Sequence, residues 1–231
     1  MDLKSTPLRR STLLAVGALA VALLGVAVVV SGRGDGPTTR SPRPSEGTDR
    51  ALTAEGRELT DLLTKGLHGT YHARYQSTLS DPRSTEALVL MDIWRKGDLG
   101  RQEVAVQVQG TRSRTATFLL PPQTVECSQT GDAAWTCKPP KQAQPPEAPE
   151  VQVQKVLAAG PITARDDKVA GLPVRCFTYP PSEDIDETCL LPDGVLARMI
   201  TSSSRFDLIA MTPTVPDEVF AVPAPSASPG T

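Results

Sequence analysis

The chain has 231 residues, and 24 Lys+Arg against 26 Asp+Glu leave a formal charge of −2. That near-balance excludes the basic surface a nucleic-acid binder carries over a whole domain. All nine aromatic residues lie between Tyr71 and Phe220, so at most about 150–170 residues can share one modest core.

Residues 1–10 carry Lys4, Arg9 and Arg10 and read as a short cytoplasmic N-terminus. From Ser11 to Gly32 no residue is charged, and Leu13 to Val30 is apolar apart from Gly17 and Gly25. About twenty helical residues rise 30 Å, the thickness of a bilayer core, so residues 11–32 are expected to form one transmembrane anchor. A cleaved signal peptide is the alternative. Its apolar region is shorter and ends in small residues, whereas this run ends Val28-Val29-Val30-Ser31-Gly32. Residues 33–50 hold no apolar side chain larger than proline and are expected to be a disordered linker. Its Arg33-Gly34-Asp35 tripeptide is explained by chance in a Gly/Arg-rich stretch. Residues 51–222 are the expected extracytoplasmic domain, and residues 223–231 a disordered tail.

Ala51 to Leu67 reads as a helix: Leu52, Leu59, Leu62, Leu63 and Leu67 recur at helical spacing, with Glu55, Arg57, Glu58 and Asp61 on the other positions. Thr48 or Asp49 is its expected cap. The period then becomes two. Tyr71, Ala73 and Tyr75 alternate with polar residues, Ala87 to Arg95 is a nearly continuous apolar strand, and Lys96-Gly97-Asp98 turns the chain into alternating Val104, Val106 and Val108. Strands are expected at Thr115–Leu120, Thr124–Cys127 and Ala134–Cys137. Lys138 to Pro149 is too proline-rich for a central element, and Val151 to Ala159 fits a short helix or a strand. Strands resume at Ile162–Arg165, Val174–Tyr179, Val195–Thr201 and Phe206–Met211. The predicted class is α+β, a curved, mostly antiparallel sheet (half-barrel) packed on an N-terminal helix and preceded by one transmembrane helix.

Four cysteines, Cys127, Cys137, Cys176 and Cys189, lie beyond the export segment. Their C-x9-C and C-x12-C spacings are not zinc knuckles, and both histidines are far away in sequence. An even count outside the membrane reads as two disulfides in an oxidising compartment. Of three connectivities, Cys127–Cys137 and Cys176–Cys189 are chosen because each pair flanks a turn-rich stretch. No cysteine near the apolar run could carry a lipid.

Catalytic chemistry finds little footing. His68-x-x-x-His72 has metal-helix spacing, but Gly69 interrupts it. The Glu183-Asp184-Ile185-Asp186-Glu187 cluster lacks the glycine of a calcium loop and reads as a solvated loop. Ser202-Ser203-Ser204 reads as a turn, and no G-x-S-x-G surrounds any serine. No enzyme activity, metal or cofactor is expected.

Scattered residues carry a family resemblance: Cys127 with Trp135-Thr136-Cys137; Val169-Ala170-Gly171 leading into Arg175-Cys176-Phe177; Glu187-Thr188-Cys189-Leu190 before Asp193-Gly194-Val195; and Val215-Pro216-Asp217 with Phe220 and Pro223. Across roughly 50–223 this resembles the lipoprotein-carrier-like (LolA/LprG/LppX) domains of high-GC bacterial membrane-anchored proteins. The resemblance implies a sheet curled round a helix, with a hydrophobic cavity that binds acyl chains in some members; RseB-like members sense envelope stress through a partner. LprG-type lipoproteins carry a lipid-modified cysteine, whereas a protein anchor is expected here, which suits local handover or sensing. The expected function is therefore a single-pass membrane protein whose external domain binds a lipid or other apolar ligand without catalysis. Leu62, Tyr71, Tyr75, Val104, Val106 and Val108 are the inward candidates. The alternative is a protein-interaction or envelope-sensing domain with a filled core and an envelope protein partner.

Overall fold

The computed structural model describes residues 52–79, 87–108, 110–143, 146–181, 185–202 and 204–224. The expected cytoplasmic segment, anchor, linker with its Arg33-Gly34-Asp35, Glu183, Asp184 and most of the tail lie outside the described residues. Among the described residues no helix is long and apolar enough to cross a membrane.

Helix α1 (Ala54–His68) starts where the Thr53 hydroxyl accepts the Gly56 N–H at 3.1 Å. That cap lies four to five residues later than the expected Thr48 or Asp49. Its leucine stripe folds inward, with Leu59 and Leu62 buried. Lys65 and His68 occupy the last turn, where positive charge suits the helix dipole. His68 therefore ends a helix while His72 sits on a strand, and the pair forms no common metal face. A second helix, α2 (Pro149–Ala159), settles the segment that periodicity left open; Pro149 opens it without a side-chain cap. Val153 and Leu157 of α2 face Gly56 of α1, where a methyl group would already touch both side chains.

Among the described residues, twelve strands form one open, curved, antiparallel sheet. The first run is β1 (Thr70–Leu79), β2 (Ala87–Lys96), β3 (Leu99–Val108), β4 (Thr111–Leu120), β5 (Gln123–Thr130), β6 (Thr136–Cys137) and β7 (Lys141–Gln142). The second is β8 (Thr163–Val169), β9 (Leu172–Thr178), β10 (Ile185–Leu190), β11 (Leu196–Thr201) and β12 (Ser204–Thr212). Spatial order runs β6-β5-β4-β3-β2-β1-β12-β11-β10-β9-β8, with β7 also on β5. Two consecutive meanders are thus joined by the long-range pair β1–β12, and β8 is the terminal strand of the path.

Strand β10 corrects the sequence reading. Ile185, Asp186 and Glu187 were expected in a solvated loop, yet they open a strand and Glu187 is buried. Arg165 on β8 meets its carboxylate at 2.6 Å, a partner 22 residues upstream. A charge gains admission to a half-buried strand when a cross-strand cation satisfies it.

Alternation puts large side chains on one face of the sheet. Tyr75, Met91 and Val104 stand in register across β1–β3, as do Ser77, Val89 and Val106. Phe206, Met199, Thr188 and Phe177 continue that face through the second meander, all at 2% exposure or less. The opposite face has its own small cluster on the first meander: Ala116, Phe118, Val125 and Cys127, covered by Trp135 and Val222. A 3-10 turn, Asp217–Phe220, holds this C-terminal stretch down. Arg101 donates to the Val219 carbonyl at 3.0 Å, and Lys96 pairs with Asp217 at 2.6 Å.

Candidate functional site

Both disulfides form with the expected pairing, each between directly opposed residues of neighbouring strands: Cys127–Cys137 across β5–β6, and Cys176–Cys189 across β9–β10. Glu187 lies beside Cys189, so Cys176, Glu187 and Cys189 cluster in the manner of a metal site. With their sulfurs joined, the two cysteines offer no thiolate, and Glu187 is spoken for by Arg165. The cluster is structural.

A concavity lies between α1 and the β8–β10 strands. It is an open groove of about 720 Å³. Helix α1 contributes Arg57, Glu58, Asp61, Leu62 and Lys65 along one wall. The opposite wall comes from Asp166 and Asp167 of β8 and Val174 and Arg175 of β9, with Leu190 and Leu191 towards the floor.

Local sequence explains why the walls stand where they do. The β10–β11 turn brings Gly194, at φ +83°, so near α1 that a methyl there would lie 2.0 Å from the Leu62 carbonyl oxygen. A methyl on Gly66 would in turn lie 2.4 Å from the Gly194 carbonyl oxygen. Two glycines thus let helix and turn touch backbone to backbone, which fixes α1 over the second meander. Arg175 then ties helix to sheet. Its guanidinium bonds Glu58 of α1 and Asp166 of β8, each at 3.1 Å. Partial burial works against its charge, and those two carboxylates outweigh it, so its pKa stands above the usual arginine value.

The remaining helix charges are different. Arg57, Asp61 and Lys65 are exposed and fall at i, i+4 and i+8, one stripe of alternating sign along the groove. Their periodicity was visible in the sequence as the polar side of a leucine helix; nothing in it announced that β8 and β9 would build a second wall opposite.

Of the six inward candidates, Leu62 alone lines this groove. Tyr71, Tyr75, Val104 and Val106 share the α1-side face of β1 and β3, and Val108 follows at the same alternation. Tyr75 is 1% exposed and Val104 8%, while Val106 and Val108 are half-buried. Burial pushes the Tyr71 and Tyr75 hydroxyls above the usual tyrosine range. Arg95 lies in the same region, buried, its Nε donating to the Leu67 carbonyl at 2.8 Å and so satisfying the end of α1. That burial lowers its pKa.

No family model matches this chain, and no curated protein matches it. Among solved structures it is similar to MucB, determined in complex with MucA(peri), at 12% identity and a TM-score of 0.37. The match covers 72% of this chain and spans 60% of the MucB chain. The residues that resemble lipoprotein-carrier-like domains occupy framework positions: both disulfides, the β8–β9 turn, the Gly194 approach and the C-terminal 3-10 turn.

Proposed function

We propose that this chain is a noncatalytic binding domain of the cell envelope that holds a polypeptide partner in the groove between α1 and β8–β10. The observation that carries the reading is the exposed alternating stripe Arg57, Asp61 and Lys65 lining the groove beside Leu62, Leu190 and Leu191. An acyl chain would use only the apolar lining and leave the helix stripe without a role, whereas a polypeptide supplies both signs and main-chain hydrogen bonds. Two disulfides agree with an oxidising compartment. The expected single-pass anchor would keep the groove close to the membrane.

A lipid or apolar ligand is the second reading, supported by Leu62, Val174, Leu190 and Leu191 in the floor. The two part on one experiment. The full chain would carry a photo-crosslinking residue at Asp61, with Gln107 on β3 as the control position, and be irradiated in its native host. A polypeptide adduct identified by mass spectrometry, absent from the control and from the R57E/K65E variant, is the expected result. A lipid adduct at Asp61 would instead establish the second reading.

A further inference from the structure

The terminal strand β8 has an unusual relation to its own charges. Val169 pairs with Leu172 around a two-residue turn in which Ala170 and Gly171 have φ of +50° and +81°. Such a turn closes on a hydrogen-bonded pair, so pairs alternate outward from it along the hairpin. Lys168 opposite Pro173 is then a non-bonded pair, as it must be, because proline has no N–H. A second observation agrees: the Lys168 N–H points away from β9 and donates to the Asp167 carboxylate at 2.8 Å. By the same alternation Ala164 and Asp166 direct their N–H and C=O groups out of the sheet. Both face the side on which no described strand pairs with β8.

Edge strands are ordinarily guarded by charged side chains projecting past them. Here three of the four charges pair back across the sheet, while Lys168, next to the turn, stays exposed. Arg165 reaches Glu187 on β10 at 2.6 Å, Asp167 faces Arg198 of β11 at 3.6 Å, and Asp166 pairs with Arg175 of β9 at 3.1 Å. The edge thus keeps main-chain groups free in the middle of β8, beside a groove whose other wall is the Arg57, Asp61 and Lys65 stripe.

The two spacings match. From Arg57 to Lys65 an α-helix rises about 12 Å, and five residues of a strand put three same-face side chains over about 13 Å. We infer that the groove seats an extended polypeptide segment as an added strand on β8. Its same-face side chains read acidic, basic, acidic against Arg57, Asp61 and Lys65. This deepens the polypeptide reading above and rests on it. Main-chain bonds to Ala164 and Asp166 supply affinity, and the helix stripe supplies selectivity.

The test uses the full chain in mild detergent with both disulfides formed. The probe is a fluorescent nonapeptide whose same-face residues are Glu, Lys and Glu, separated by Val and Thr; the control has Lys, Glu and Lys. The first is expected to bind about tenfold more tightly. Asp166→Ala keeps the edge N–H but loses the carboxylate that bonds Arg175, so it is the reference against which the proline variant is read. Asp166→Pro removes that N–H, which no strand of the sheet uses, and should weaken binding about tenfold with little change in melting temperature. A measurement needing no variant supports the pair: peptide should slow hydrogen exchange at the amides of Ala164 and Asp166. Equal binding by the proline and alanine variants, with no added protection, overturns strand addition while leaving a polypeptide adduct at Asp61 intact. No preference between the peptides overturns the charge reading. Self-association abolished by Asp166→Pro assigns the edge to a second copy and also overturns the proposal.

Discussion

The two meanders are built alike and finished differently. Each carries one cross-strand disulfide and one buried phenylalanine at 0% exposure, Phe118 in the first and Phe177 in the second. In the second, Cys176 and Cys189 are fully buried. Above them Arg165, Asp167, Glu187, Arg198, Asp207 and Arg205 form a continuous charge ladder across β8–β12. In the first, Cys137 sits half-buried on a two-residue edge strand, and its face is roofed by Trp135 and the C-terminal stretch. Arg101 serves as the hub there. Its guanidinium lies 4.7 Å from the centre of Trp94 and 5.1 Å from that of Phe118, and it bonds Glu103 and the Val219 carbonyl. Sheet pairing alone was enough to seat strands in both halves. The helix and the chain terminus decided which face of each half stayed open.

The largest expected effect tests how α1 is seated. Gly194→Ala should destabilise by about 3 kcal/mol or more, because the new methyl meets helix backbone at a positive φ. Gly131→Ala in the first meander has open space around it and should cost only about 1 kcal/mol, the conformational part alone. Denaturant midpoints compare the two directly; equal losses would dissolve the distinction.

The disulfides come next. Removing either pair should cost about 2–4 kcal/mol. Under mild reductant, however, Cys127–Cys137 should open first, since a thiolate can approach Cys137 and cannot reach two buried sulfurs. Timed alkylation with peptide mapping would read the order, and simultaneous opening would contradict the asymmetry. Arg101→Met, which keeps the aliphatic stem and loses the bonds to Glu103 and Val219, should cost about 2 kcal/mol. Faster hydrogen exchange in Asp217–Phe220, with β8–β12 unchanged, would localise that loss to the first meander.

Acid should act more gently, and on both halves. Burial opposes the charge of Asp207, but hydrogen bonds from Arg205 and Arg198 outweigh it and hold its pKa below the usual value. Hydrogen bonding from Lys138 likewise lowers Glu126 in the first meander. A depressed carboxylate pKa adds stability above its unfolded value, and that contribution disappears as pH falls through the folded value. Melting temperature should therefore hold from neutral pH to about pH 5 and decline below about pH 4. Asp207→Asn should flatten part of that decline. An unchanged acid limb would show that the ladder carries no linkage.

Much of the frame was readable beforehand. The leucine repeat named α1, strict alternation named β1 and β3, and the cysteine spacings placed both disulfides, because each is a local or nearest-neighbour property. Glu187, at the end of the acidic run before Cys189, was misread because its burial depends on Arg165, and nothing local to Glu187 reveals that partner. Arg57 and Asp61 were placed off the leucine face, as they are in a helix considered alone; with Lys65 they became one wall of a groove only when β8 and β9 folded opposite them.

The sequence by itself determined the periodicities, the turn glycines and the pairing of cysteines ten and thirteen residues apart. Short-range sterics and short loops leave few alternatives there. Only the tertiary structure decided that β1 and β12 join the two meanders, that Gly66 and Gly194 bring helix and turn into backbone contact, and that β8 ends the sheet with three of its four charges paired across it. Those features depend on contacts between residues separated by about a hundred positions or by whole strands, and no window of sequence contains both partners.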